Sequence, residues 1–202
     1  MSPTDTDTQV QRPRVEGERE QEILDATMAV LAEVGYDRLT MDAVAARAKA
    51  SKATLYRRWS NKETLVIDAL RRLKGQSEVP DTGSLREDLL SSYCGAGGVT
   101  SPEATDSFMA VITAIAHDEE FATAFRRDVV GPKSETTRQI FERARDRGEL
   151  RDGLDLDLVS PALAGIVLHR KFMIGLPPDP DTVAAVLDQI ILPAVLAPTP
   201  DA

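Results

Sequence analysis

Cysteine is almost absent from this 202-residue sequence: Cys94 stands alone, which excludes an intrachain disulfide framework and a cysteine-rich metal site. Histidine is nearly as scarce, with His117 and His169 only, too few for a histidine-built metal centre. The acidic run His117-Asp118-Glu119-Glu120 reads as the start of a helix, where carboxylates suit the helix dipole. No metal and no cofactor are expected. Long apolar runs are missing too. The longest, Ala162 to Leu168, is far too short to cross a bilayer. No basic start followed by an apolar stretch opens the chain, so no secretion signal is expected and the location expected is cytoplasmic. No stretch shows the alternating period and β-branched density of strands. The signatures of common enzymes are lacking as well. There is no G-x-S-x-G elbow, and GAGG at Gly95–Gly98 lacks the strand and the spacing of a dinucleotide loop, so it reads as a hinge.

What is present is a soluble, globular composition, 42% hydrophobic with a formal charge of −9. The charge is unevenly spread. Residues 1–75 carry 13 basic and 12 acidic side chains, and the remaining residues carry 11 and 21. Between Arg38 and Lys62 there are 7 basic residues and one acid, Asp42. An acidic body repels nucleic acid, so any attraction must be local to this stretch. A solvated helix face is the ordinary meaning of such a run, but here the surrounding helix signals form a pattern.

Residues 1–16, rich in Thr, Asp and Pro, read as a disordered arm ending in Arg12 and Arg14, which a DNA minor groove could receive. A first helix is expected from about Glu18 to Val34, with Ile23, Leu24, Thr27, Met28, Leu31 and Val34 on one stripe and Gly35 as its stop. Thr40 caps a short second helix that ends near Ala48. Ser51 caps a third, about Lys52 to Arg58. Ser60 and Glu63 spell a capping box for a fourth, reaching about Lys74.

Two short helices joined by about three residues, after a longer one, form the helix-turn-helix layout, with the second short helix destined for the major groove. Ser51, Ala53 and Thr54 are small enough for close approach, while Lys52, Arg57 and Arg58 supply charge for guanine edges or phosphates. Tyr56 offers a hydroxyl, and Lys62 at the next helix start makes a phosphate clamp. Trp59 reads as a packing wedge.

Residues 17–77 resemble the DNA-binding domain of the TetR family of transcriptional regulators. The match runs through Gly35-Tyr36, Leu39-Thr40-Met41, Val44-Ala45, Ala48-x-Ala50-Ser51, Thr54-Leu55-Tyr56-x-x-Trp59 and Lys62-Glu63-x-Leu65. Trp59 stands where the family usually has Phe, and Lys49 where it usually has the glycine of the turn. With the residues above, Thr40 and Lys49 complete the expected DNA-contacting set. The resemblance implies a homodimeric regulator, read as a repressor of a palindromic double-stranded DNA operator. A small-molecule effector bound by its C-terminal part releases it. The rival readings are an enzyme, for which the residues are missing, and a helical interaction protein whose basic patch meets an acidic protein partner.

The fold class expected is all-α: an N-terminal helix-turn-helix domain, then a helical ligand-binding and dimerisation domain over residues 84–197. Gly75–Ser84 is the boundary cluster. Helices are expected near residues 84–95, 102–117, 119–129, 133–147, 160–174 and 180–197, with Gly131-Pro132 as a break and Gly148–Asp157 as a loop. The last two helices are apolar all round, so they are buried on two sides, either centrally in one monomer or between its core and a partner. The second option makes Leu163, Val167, Phe172, Val183, Leu187, Ile190 and Ile191 a dimer interface. Phe108, Met109, Ile112, Phe125, Phe141, His169 and Met173 are candidates for an effector pocket, with plain core as the alternative for each.

Overall fold

A computed structural model describes residues 12–73, 78–95, 98–100 and 102–197, without the side chains of 12–16, 73 and 102–105. The expected arm lies outside the described residues up to position 11. The chain divides into two compact units, residues 1–69 and 70–202. Among the described residues there is no strand, only an isolated antiparallel bridge between Leu150 and Leu196.

The first unit holds α1 (Arg12–Arg38), α2 (Met41–Arg47), α3 (Lys52–Arg58) and the start of α4 (Lys62–Leu73). Helix α1 begins six residues before the expected Glu18. It is interrupted at Gly35, whose φ of 74° and ψ of 169° lie in a region essentially reserved for glycine. One further turn follows, placing Tyr36 and Leu39 in the core. Ile23, Leu31, Val44, Leu55, Trp59 and Leu65 complete that core. Thr27 is wholly buried because its hydroxyl donates to the Ile23 carbonyl at 2.8 Å, so its polar atom is satisfied within the helix. Trp59 is the expected wedge, 2% exposed, and its indole N–H donates to Asp68 at 2.9 Å.

Thr40 and Ser51 cap α2 and α3 as their sequence positions require, accepting from Ala43 N and Thr54 N at 3.1 Å each. The cap of α4 differs from expectation. Asn61, not Ser60, accepts from Thr64 N at 2.9 Å, and the helix opens at Lys62. Both S-x-x-E and N-x-x-T fit the local pattern, and the carboxamide one position later won.

The second unit holds α5 (Leu85–Cys94), α6 (Pro102–His117), α7 (Glu119–Phe125), α8 (Gly131–Asp146), α9 (Leu156–Val159), α10 (Ala162–His169), α11 (Pro180–Val186) and α12 (Leu192–Val195). Gly131-Pro132 does not break the chain. A π-helical turn, Arg126–Val130, joins α7 to α8, with Gly131 N–H donating to the Arg126 carbonyl five residues back. That wider ladder lets the helix run on through a residue lacking an N–H. Similar turns, Arg170–Ile174 and Leu187–Ile191, extend α10 and join α11 to α12. Helix α9 occupies the end of the segment expected to be a loop, capped by Asp155.

The core of this unit takes in most of the residues expected at a dimer interface. Leu163, Val167, Val183, Leu187 and Ile191 are at most 5% exposed and pack with Leu85, Leu89, Ile140 and Phe141 of α5 and α8. Buried against their own chain, they have no surface left for a partner. Phe172 is half-buried, stacked on Phe108 at 5.6 Å, and Ile190 alone of the seven is exposed, at 49%.

Candidate nucleic-acid interface and effector cavity

The turn between α2 and α3 is Ala48-Lys49-Ala50-Ser51. Lys49 takes φ 51°, the left-handed conformation, and among the described residues it is the sole non-glycine with positive φ. A side chain there is strained by about 1–2 kcal/mol. The conformation is held from outside: the Arg19 guanidinium donates to the Lys49 carbonyl at 2.6 Å, and Ala50 N–H donates to the Ala45 carbonyl at 2.9 Å. Lysine therefore does the work of the usual glycine.

Beyond the turn, α3 presents Ser51, Lys52, Tyr56, Arg57 and Arg58 to solvent, with Thr54 half-buried. The hydroxyls of Ser51 and Thr54 are 2.8 Å apart, one donating to the other, which fixes both at the helix start. Thr40 and Lys49 are exposed as well. Leu55 turns fully inward and anchors the helix. Seven amino acids of α3 thus divide cleanly, one apolar anchor against a polar outer face.

The charges on this face are partly matched within the chain. Lys52 pairs with Asp42 at 2.7 Å, which raises the lysine pKa through the hydrogen bond, and Arg58 pairs with Glu20 at 3.1 Å. Lys62 departs furthest from the sequence reading. Its ammonium donates to the Tyr36 carbonyl at 3.2 Å and lies 4.3 Å from the centre of the Tyr36 ring. It ties α4 to the turn after Gly35. Arg19, Glu20 and Asp42 were not anticipated as partners. The first two sit in α1, about 30 and 38 residues from what they hold, and no local pattern signals such a contact.

The second unit holds a half-open cavity of about 520 Å³. Its wall comes from the three segments expected, 102–117, 133–147 and 160–174, together with the turn after α7 and the end of α5. Of the predicted lining residues only Phe108 and Phe125 are there, their ring centres 6.2 Å apart. Phe141 is in the core, and Met109, Ile112, His169 and Met173 are exposed. Helical spacing placed apolar side chains on these helices, but not the rotation of each helix about its axis. Leu168, one position before His169, faces the cavity instead.

Residues that sequence reading missed are Tyr93, Lys133, Thr137, Leu156 and Ser160. Lys133 is half-buried and donates to the Ser92 carbonyl at 2.7 Å. Burial pushes its pKa below the ordinary lysine value, while burial pushes the Tyr93 phenol above its own. The wall is otherwise mainly carbon, a surface suited to an apolar ligand oriented by a few polar groups.

Known proteins share both parts of this arrangement. Residues 23–69 match the bacterial regulatory proteins of the tetR family, and residues 79–190 match the tetracyclin repressor-like C-terminal domain. An HTH-type transcriptional regulator of Mycobacterium tuberculosis is 36% identical over 185 residues, 90% of each chain. The DNA-binding transcriptional repressor TetR of Mycobacteroides abscessus is 34% identical over 172 residues, 84% of this chain and 90% of that one. A TetR family transcriptional regulator from Pseudomonas syringae pv. tomato shares the fold, with a TM-score of 0.70 at 23% identity over 94% of this chain and 100% of that one. With both family domains in order and relatives aligned over nine-tenths of its length, the chain belongs to the TetR family of bacterial DNA-binding transcriptional regulators, which are not enzymes.

Proposed function

We propose that the protein is a homodimeric, cytoplasmic repressor of a palindromic operator, released when a small molecule fills the cavity of its C-terminal unit. The observation that carries the reading is α3 itself, a helix with one buried anchor and an outer face of Ser51, Lys52, Tyr56, Arg57 and Arg58. Such a helix fits the major groove, where Arg and Lys read guanine edges and Ser and Thr accept or donate as the base requires. Lys49 and Lys52 contact phosphates, Lys52 exchanging Asp42 for the backbone. Lys62 acts from behind, by holding the fourth helix on Tyr36. The similar protein of Mycobacteroides abscessus is named a repressor, which favours that sign of regulation here.

A twofold dimer is supported by apolar side chains left on the surface of the second unit. Met173, Ile174 and Leu176 are exposed at the end of the α10 helix and just beyond it, and Ile190 is exposed in the last helical segment. Large apolar side chains left exposed close together in sequence suit an interface with a second copy. An effector that binds one of two dimer conformations more tightly by about 1–3 kcal/mol lowers operator affinity five- to 150-fold.

The test is selection of bound sequences from a random DNA pool at two salt concentrations. A palindrome enriched at both establishes dimeric, sequence-specific readout. Binding that enriches nothing and vanishes at the higher salt would leave only a generic basic patch.

A further inference from the structure

We infer that the cavity of the C-terminal unit takes an apolar carboxylate, with its head group on the Lys133 ammonium and its body against the carbon wall. The inference rests on the reading of that cavity as the effector site, and deepens it by naming the ligand's chemistry.

The argument begins with charge matching. Lys133, Glu135, Arg138 and Asp157 line the cavity. Arg138 is paired with Asp157, and with Glu142 at 3.0 Å. Glu135 is exposed and accepts from the Gln139 amide at 2.9 Å. Lys133 is different: among the described residues no carboxylate pairs with it. Its ammonium has the Ser92 carbonyl at 2.7 Å, the Ser92 hydroxyl at 3.4 Å and the Tyr93 ring centre at 5.7 Å. Tyr93 is itself part of the cavity wall. An ammonium has three N–H donors, so one is left over.

A half-buried cation held only by neutral groups is poorly compensated, and burial accordingly lowers its pKa with no acid to oppose the shift. A ligand carboxylate would supply the missing charge and accept the remaining donor in a charge-assisted hydrogen bond. Phe108, Phe125, Val129 and Leu168 would hold the apolar body. The volume of about 520 Å³ lies within the range of small-molecule sites.

Calorimetric titration of the full chain tests this with decanoate and 4-butylbenzoate, each against its methyl ester and its trimethylammonium counterpart, below micelle-forming concentrations. The carboxylates should bind about tenfold to a hundredfold more tightly than the esters, the span of a charged hydrogen bond. Lys133→Gln, which keeps an uncharged donor for Ser92, should erase the preference for acid over ester, and Lys133→Arg should retain it. Esters or ammonium compounds binding as well as the acids, or no probe binding at all, overturns the inference. If Lys133→Gln fails to fold, the wild-type comparison of acid and ester still decides. Operator binding without a carboxylate preference would sink the ligand class alone. Carboxylate binding by a protein that enriches no DNA would sink the regulator reading alone.

Discussion

Arg19 donates to the main-chain carbonyl of Lys49 at 2.6 Å, joining the first helix to the turn that leads into α3. Lys49 sits there at φ 51°, a conformation glycine adopts freely and lysine does not. Lys49→Gly therefore relieves about 1 kcal/mol of backbone strain, while the freer unfolded chain takes back about 0.4–1 kcal/mol. A small rise in the urea midpoint is expected, together with a salt slope of DNA binding shallower by about 0.9 as one phosphate contact is lost. Arg19→Ala acts oppositely on stability, lowering it by about 1 kcal/mol. A destabilised glycine variant would show that the turn is not strained.

If Lys52 meets a phosphate as proposed, Asp42 competes with DNA for it. The pair is exposed on both sides, so Asp42→Asn should leave the urea midpoint nearly unchanged. Its effect belongs on the nucleic acid, where freed Lys52 and one less negative charge should tighten binding severalfold at low salt. Fluorescence anisotropy across a salt series measures this, and unchanged affinity would place Lys52 outside the interface.

Lys62 is a structural tie as its atoms now stand. Removing it in Lys62→Met takes one of two donors from the Tyr36 carbonyl, which keeps the Leu39 N–H at 3.2 Å, and the cation from the ring, a loss of about 1 kcal/mol in urea unfolding. A stable Lys62→Met protein with a reduced salt slope would instead return Lys62 to the phosphate role its sequence position suggests.

Gly35→Ala tests the stop of the first long helix. At φ 74° and ψ 169°, a Cβ strains the backbone by on the order of 1–3 kcal/mol, read as a lower midpoint of unfolding. No change would mean that the chain reshapes there at little cost.

Lys133 gives a pH signature with a definite sign. Its folded pKa lies below the unfolded value of 10.5, so between the two the unfolded chain binds more protons and stability rises with pH. The Tyr93 phenol, raised by burial from 10.0, works the other way above that pH. The difference in stability between wild type and Lys133→Gln should therefore shift in favour of wild type as pH climbs toward 10. A constant difference would mean that the ammonium is as well solvated folded as unfolded.

Much of the recognition unit was legible because its signals are local. A cap such as Thr40 or Ser51 bonds to a backbone N–H three residues away, and the stripe from Ile23 to Leu31 repeats within one helix. Even so, neighbouring cap candidates compete, as Asn61 and Ser60 show. The π-helical path through Gly131-Pro132 escaped notice because a proline ordinarily argues for a stop.

By itself, then, the sequence determined the helical class, the helix-turn-helix with its basic outer face, and the order of the two parts. These depend on periods and caps that span only a few residues. Tertiary structure alone decided that Leu163, Val167 and Leu187 are core rather than interface, and that Leu168 rather than His169 faces the cavity. It also decided that Arg19 and Glu20 brace the reading head. A helix apolar on every side does not encode which side meets which neighbour. That choice is made by the other helices packing around it, which no local pattern contains.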